Sequence, residues 1–141
     1  MNKDTDFTGK TVLVVGGSSG IGNGVAHAFR TRGAAVHVWG TRADPADYDP
    51  SEGSDLSGRG YSCVDVSDAN AIEAAAAPFD RLDVLVLCQG YVVYKRGEFV
   101  REGWDSVMTV NLDSLMDCAR RFRADLAATG GSLIIVSSIS G

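Results

Sequence analysis

The chain has 141 residues, 45% hydrophobic and 22% charged, with 13 basic against 18 acidic side chains and a net charge of −5. That length predicts one domain with a sizeable core. The composition excludes general disorder, and the acidic balance argues against nucleic acid or a polybasic membrane contact. The longest apolar runs, Val84–Cys88 and Leu133–Val136, are far too short to cross a bilayer. The opening MNKDTDFTGK carries no apolar signal core, so a cytoplasmic protein is expected.

In chain order, Thr11–Val15 is a short β-branched run that predicts a buried strand. Gly20–Arg32 carries Ile21, Val25, Ala28 and Phe29 at helical spacing, with Arg30 and Arg32 at its negative end and Gly33 to close it. Val36–Trp39 predicts a second strand. Residues 41–59 are rich in Asp, Pro, Ser and Gly and read as loop with at most one short helix. Tyr61–Val66 predicts a third strand, and Ser67 an N-cap for a helix over Asp68–Ala77 that Pro78 stops. Val84–Leu87 predicts a fourth strand, followed by a loop over about 90–100. A long helix from Arg101 to Thr129, stopped by Gly130, is expected to bury Trp104, Val107, Met108, Leu112, Leu115, Met116, Ala119, Phe122 and Leu126. Leu133–Val136 predicts a fifth strand. Strands alternating with helices imply parallel strands joined by right-handed crossovers. The expected fold is α/β: a Rossmann-type three-layer sandwich, with a parallel sheet of about five strands in one domain over residues 1–141.

Cys63, Cys88 and Cys118 are odd in number and far apart, and His27 and His37 stand alone. Neither a disulfide scaffold nor a metal site is indicated. The informative segment is Gly16-Gly17-Ser18-Ser19-Gly20-Ile21-Gly22, set between the first strand and the first helix. Gly16 permits a tight turn off the strand, Gly20 lets main chain approach a phosphate, and Gly22 lets the helix pack closely on the sheet. The helix N-terminus offers free N–H groups to a pyrophosphate, and Ser18 and Ser19 add hydroxyl donors. A Walker-type loop is excluded, because no Gly-Lys-Ser/Thr follows and no lysine lies between Lys10 and Lys95.

On these residues the chain resembles the short-chain dehydrogenase/reductase family. The glycine spacing matches, as do Asp65-Val66 after the third strand, Asn111 in the long helix, and Ser137-Ser138-Ile139-Ser140-Gly141 after the fifth strand. The departures are Val15, where the family has Thr, and Leu87-Cys88-Gln89-Gly90, where it has Asn-Asn-Ala-Gly and only the glycine matches. The missing Thr and Asn are expected to form a compensated pair, two polar groups replaced together by Val15 and Cys88.

The resemblance implies a nicotinamide dinucleotide cofactor and a small alcohol or carbonyl substrate. Gly16, Ser18, Ser19, Gly20, Ile21 and Gly22 would surround the pyrophosphate and ribose. Asp65 and Val66 would meet the adenine, and Cys88, Gln89 and Gly90 the nicotinamide side. No acid stands at Gly40 to bond the adenosine ribose, whereas Thr41 and Arg42 can hold a 2′-phosphate. The reading leans to NADP over NAD.

Asn111 and Ser138 take catalytic roles by resemblance, Asn111 in proton relay and Ser138 on the substrate oxygen. The family's Tyr and Lys acid/base pair follows this serine and is not among the 141 residues. Tyr91 and Lys95 have the right spacing but fall in a loop, where an i,i+4 pair does not meet. The expectation is therefore a truncated cofactor-binding portion of an oxidoreductase, lacking turnover by itself and prone to self-association at its uncovered fifth strand. A noncatalytic dinucleotide-binding module or an inactive truncated product is the alternative.

Overall fold

The computed structural model describes residues 2–139. Its five strands are β1 (Thr11–Val15), β2 (Ala35–Gly40), β3 (Gly60–Cys63), β4 (Val84–Leu87) and β5 (Ser132–Ile135). They form one parallel sheet in the order β3-β2-β1-β4-β5, with Val14 aligned to Val38 on one side and to Val86 on the other. The helices are α1 (Gly20–Thr31), α2 (Ala69–Ala74), α3 (Arg101–Met108) and α4 (Ser114–Thr129).

The central strands are apolar except at Thr11 and His37, because both faces are covered. Val12, Val14, Val38 and Val86 pack with Ala26 of α1 on one face. Leu13, Val15, Trp39, Leu85 and Leu87 pack with Ile72 of α2 and with Cys118 and Phe122 of α4 on the other. Each fully buried Val or Leu in these layers contributes about 1.5–3 kcal/mol. Trp39 meets Phe122 at 5.5 Å between ring centroids, which centres the second layer.

Asp83 fastens the amino ends of three strands. Its main-chain N–H donates to Thr11 O and its carbonyl accepts from Ser132 N. Its carboxylate accepts from Thr11 N at 2.8 Å and from the Arg81 guanidinium at 2.6 and 2.9 Å.

Several expectations need correction. The third strand stops at Cys63, since only Gly60–Cys63 pairs with β2. The fifth runs Ser132–Ile135, one residue earlier than expected. α2 is capped by Asp68, whose carboxylate accepts from Asn70 N, while Ser67 bonds Asp65 instead. That helix ends at Ala74, with Ala75 already extended. Residues 41–59 hold two 3-10 turns, Pro45–Asp47 and Pro50–Glu52, each begun by an Asp that caps the N–H two residues on.

The long helix is broken by a π turn at Thr109–Asp113. The extra residue rotates the stripe, so α4 turns Ser114, Cys118 and Phe122 to the core and Met116 outward; Trp104 in α3 and Leu112 in the π turn are exposed as well. Val15 and Cys88 are not a side-chain pair: they pack into opposite layers of the sandwich. What joins the strands there is main chain, Cys88 N donating to Val15 O at 2.9 Å.

Candidate functional site

A cleft of about 820 Å³ opens at the carboxyl ends of the strands. This is where parallel sheets receive ligands, because strand order reverses between β1 and β4. The glycine turn forms its floor by necessity. Gly16 has φ +73°, and a Cβ there would lie 2.8 Å from Gln89 N. A Cβ at Gly22 would lie 2.1 Å from Gly16 O. Either side chain would push the turn off the sheet. Gly20, φ +54°, has open space where its Cβ would be.

Ser19 is the N-cap residue of α1 but makes no side-chain cap bond. The first-turn N–H groups therefore receive no acceptor from the cap, which suits an incoming anion. Asn23, buried in the same helix, donates to Gly17 O at 3.2 Å and to Asp55 O at 2.7 Å. It pins the glycine turn to the loop after β2. Sequence reading missed it, since a single Asn in a helix carries no pattern.

Of the expected contacts, Gly16, Ser18, Ser19, Ile21, Gly22, Thr41, Asp65, Val66, Cys88, Gln89 and Gly90 line the cleft. Gly20 and Arg42 do not. Arg42 lies over the Tyr48 ring, 4.9 Å from its centroid, and donates to Asp47 O. Asp65 spends one carboxylate oxygen on Ser67, from N at 3.0 Å and from Oγ at 2.6 Å. Gln89 turns its side chain inward. Its Nε2 donates to Ser114 Oγ at 3.0 Å, and Ser114 passes its own proton to Val110 O. The Gln89 Oε1 is buried without a hydrogen-bond partner among the described residues. Gln89 thus presents main chain, not amide, to the cleft.

Burial raises the Cys88 thiol above its ordinary pKa. It pushes Cys118 up to about 12, chiefly by desolvation. Neither is a thiolate nucleophile at neutral pH.

Asn111 sits in the π turn, a local irregularity often found at functional sites. The buried stripe position expected from sequence is corrected: Asn111 is exposed. Its amide nonetheless finds two partners. Tyr91 N donates to Oδ1 at 2.7 Å, and Nδ2 donates to Tyr91 O at 2.9 Å. Asn111 therefore fixes the loop beside Gly90 at the cleft mouth. Ser138 follows β5 by three residues, at the same carboxyl end of the sheet. Ser140 and Gly141 of that segment lie outside the described residues. The Tyr91/Lys95 pair is not helical: residues 90–96 form a loop, and Lys95 and Arg96 have positive φ of 58° and 62°.

Among the described residues no cluster of His, Cys, Asp and Glu could hold a metal ion, and no helix is long and apolar enough to cross a membrane.

A parallel α/β sheet with an open glycine-floored cleft at its switch point defines a dinucleotide-binding fold. Comparison with known proteins makes the assignment specific. Residues 15–141 match the family described as Enoyl-(Acyl carrier protein) reductase. The chain is 34% identical to the D-threitol dehydrogenase of Mycolicibacterium smegmatis, across 98% of this chain and 56% of that protein. It is 32% identical to the 3-oxoacyl-[acyl-carrier-protein] reductase of Chlamydia trachomatis, across 94% and 56%. A short-chain type dehydrogenase/reductase of Mycobacterium ulcerans superposes with a TM-score of 0.75 at 27% identity, covering 96% of this chain and 53% of that structure. The chain belongs to the short-chain dehydrogenase/reductase family, and it spans about half the length of the relatives it matches.

Proposed function

We propose that these residues form the cofactor-binding portion of an NAD(P)-dependent oxidoreductase acting on a small alcohol or carbonyl compound. The observation that carries this reading is the cleft floor, where Gly16 and Gly22 leave no room for a Cβ beside an α1 N-terminus that its own side chain does not cap. That arrangement fits a pyrophosphate, which needs close main-chain approach and free N–H donors.

Gly16, Ser18, Ser19, Ile21 and Gly22 would hold the pyrophosphate and its riboses. Asp65 and Val66 would border the adenine, Asp65 with the carboxylate oxygen not committed to Ser67. Cys88, Gln89 and Gly90 would wall the nicotinamide side through main chain. A bound nicotinamide supplies hydride acceptance or donation. Asn111 holds Tyr91 and so orders the mouth, and Ser138 offers a hydroxyl to the substrate oxygen. The Tyr and Lys that the family uses to move the proton are not among the 141 residues. These residues alone are therefore a binding unit without turnover, whose partners are the dinucleotide and, through β5, further protein. An alcohol or carbonyl substrate is supported by the names of two relatives, a D-threitol dehydrogenase and a 3-oxoacyl-[acyl-carrier-protein] reductase.

Titration of NAD and NADP into the 141-residue chain tests this reading by calorimetry. Saturable binding of either is expected, abolished by Gly22→Val, with no hydride transfer to a panel of alcohols and aldehydes. Absence of binding at millimolar cofactor, with the chain folded, sinks it.

A further inference from the structure

At the end of β2 a loop tyrosine occupies ground that sequence reading assigned to the cofactor. The Tyr48 phenol oxygen accepts from Thr41 N at 3.1 Å and from Arg42 N at 3.1 Å. It lies 3.2 Å from the Tyr61 hydroxyl. The Tyr61 hydroxyl also donates to Arg42 O. Ser18 Oγ, in the glycine turn, faces the same spot above Gly40 as the Tyr48 oxygen. Burial would raise the Tyr48 pKa, but the hydrogen bonds its oxygen receives outweigh this and hold it below the ordinary phenol value.

Gly40 shows how tightly the oxygen is placed. A Cβ there would lie 2.6 Å from the Tyr48 oxygen and 2.8 Å from Ser18 Oγ. The acid that commonly reads an adenosine ribose from this strand end has no room here. Arg42, the cation suited to a 2′-phosphate, is held against the Tyr48 ring and Asp47 O and does not line the cleft. Thr41 and Gly40 do line it.

We propose that Tyr48 selects the cofactor: its phenol oxygen takes the two main-chain N–H groups that a 2′-phosphate oxygen needs at the end of β2, so the chain prefers NAD over NADP. The proposal rests on the dinucleotide reading and departs from the NADP leaning that Thr41 and Arg42 gave. A phosphate oxygen is a stronger acceptor than a phenol, yet to reach these donors it must displace an oxygen that already accepts from both. An unphosphorylated ribose makes no such demand.

The test is the Kd of NAD and of NADP, measured by calorimetry for the wild-type chain and for Tyr48→Phe, with circular dichroism to confirm folding. Tyr48→Phe removes the oxygen and keeps the ring under Arg42. The wild-type chain is expected to bind NAD at least about tenfold tighter than NADP. The variant is expected to narrow that ratio by about tenfold, through tighter NADP binding. A wild-type chain that binds NADP as tightly as NAD overturns the proposal without any variant, and so decides it even where Tyr48→Phe does not fold. A folded variant with an unchanged ratio also overturns it, while leaving the dinucleotide reading intact. Failure of both cofactors to bind overturns that reading and the proposal together.

Discussion

Asn111 is the residue whose role changed most between sequence and structure. Its place in an apolar stripe suggests a buried amide in need of partners. The π turn instead carries it to the surface, where it clasps both polar groups of the Tyr91 main chain. Because the site is exposed, Asn111→Ala leaves Tyr91 to water and does not strand it in the core. The expected loss of stability is therefore only about 1 kcal/mol. The larger effect falls on the loop, where the Tyr91 amide is expected to exchange with solvent at least about tenfold faster. Asn111→Asp keeps an acceptor for Tyr91 N but sets a carboxylate against Tyr91 O, so it is expected to destabilise more than the alanine. Hydrogen exchange and urea melts read both effects. An alanine variant with unchanged Tyr91 protection removes the clasp from the account. The motif was legible in sequence, but the π turn was not: it adds no residue type and breaks no propensity. Tyr48 was equally hidden, because its partner Thr41 is seven residues away in a segment without periodicity.

Among the elements, the strands were the most readable. Both faces of β1 and β4 are covered, so each is an unbroken apolar run. The ends were less so, since they depend on partners: β3 stops where pairing with Gly40 stops, and α2 starts at whichever of Ser67 and Asp68 is free to cap it. Asp83 shows how one side chain sets several ends together. The Arg81 hydrogen bond, aided by Thr11 N and by the charges of Arg81 and Lys10, outweighs burial and holds its carboxyl below the ordinary aspartate value. A depressed folded pKa contributes stability that is fully present above the unfolded value, near ~3.9, and is lost as pH falls through the folded one. Asp83→Asn is accordingly expected to melt earlier at pH 7. The gap from wild type should narrow once pH drops below about 4. Melting curves between pH 2 and pH 7 measure this. Parallel pH profiles for the two proteins would mean that the Asp83 charge does not hold the start of β1 to that of β4.

The whole molecule is unevenly finished. β1, β2 and β4 have covered faces, but Leu133, Ile134, Ile135 and Val136 are each 38–49% exposed, and β5 pairs only with β4 among the described residues. Trp104, Leu112 and Met116 are also at least half exposed. Successive strand residues point to opposite faces, so exposure of all four means that neither face of β5 is fully covered. An apolar edge strand of this kind is a template for pairing with another chain. The 141-residue chain by itself is therefore expected to associate with rising concentration, as sedimentation velocity would show. Ile134→Lys sets a charge on one face of the strand and is expected to return the chain toward monomer, with circular dichroism to confirm that it stays folded. Association that survives this substitution, and yields instead to Met116→Lys, would move the contact from the sheet edge to the exposed face of α4. A wild-type chain that stays monomeric and melts cooperatively would show that β5 is stable as an edge on its pairing with β4 alone.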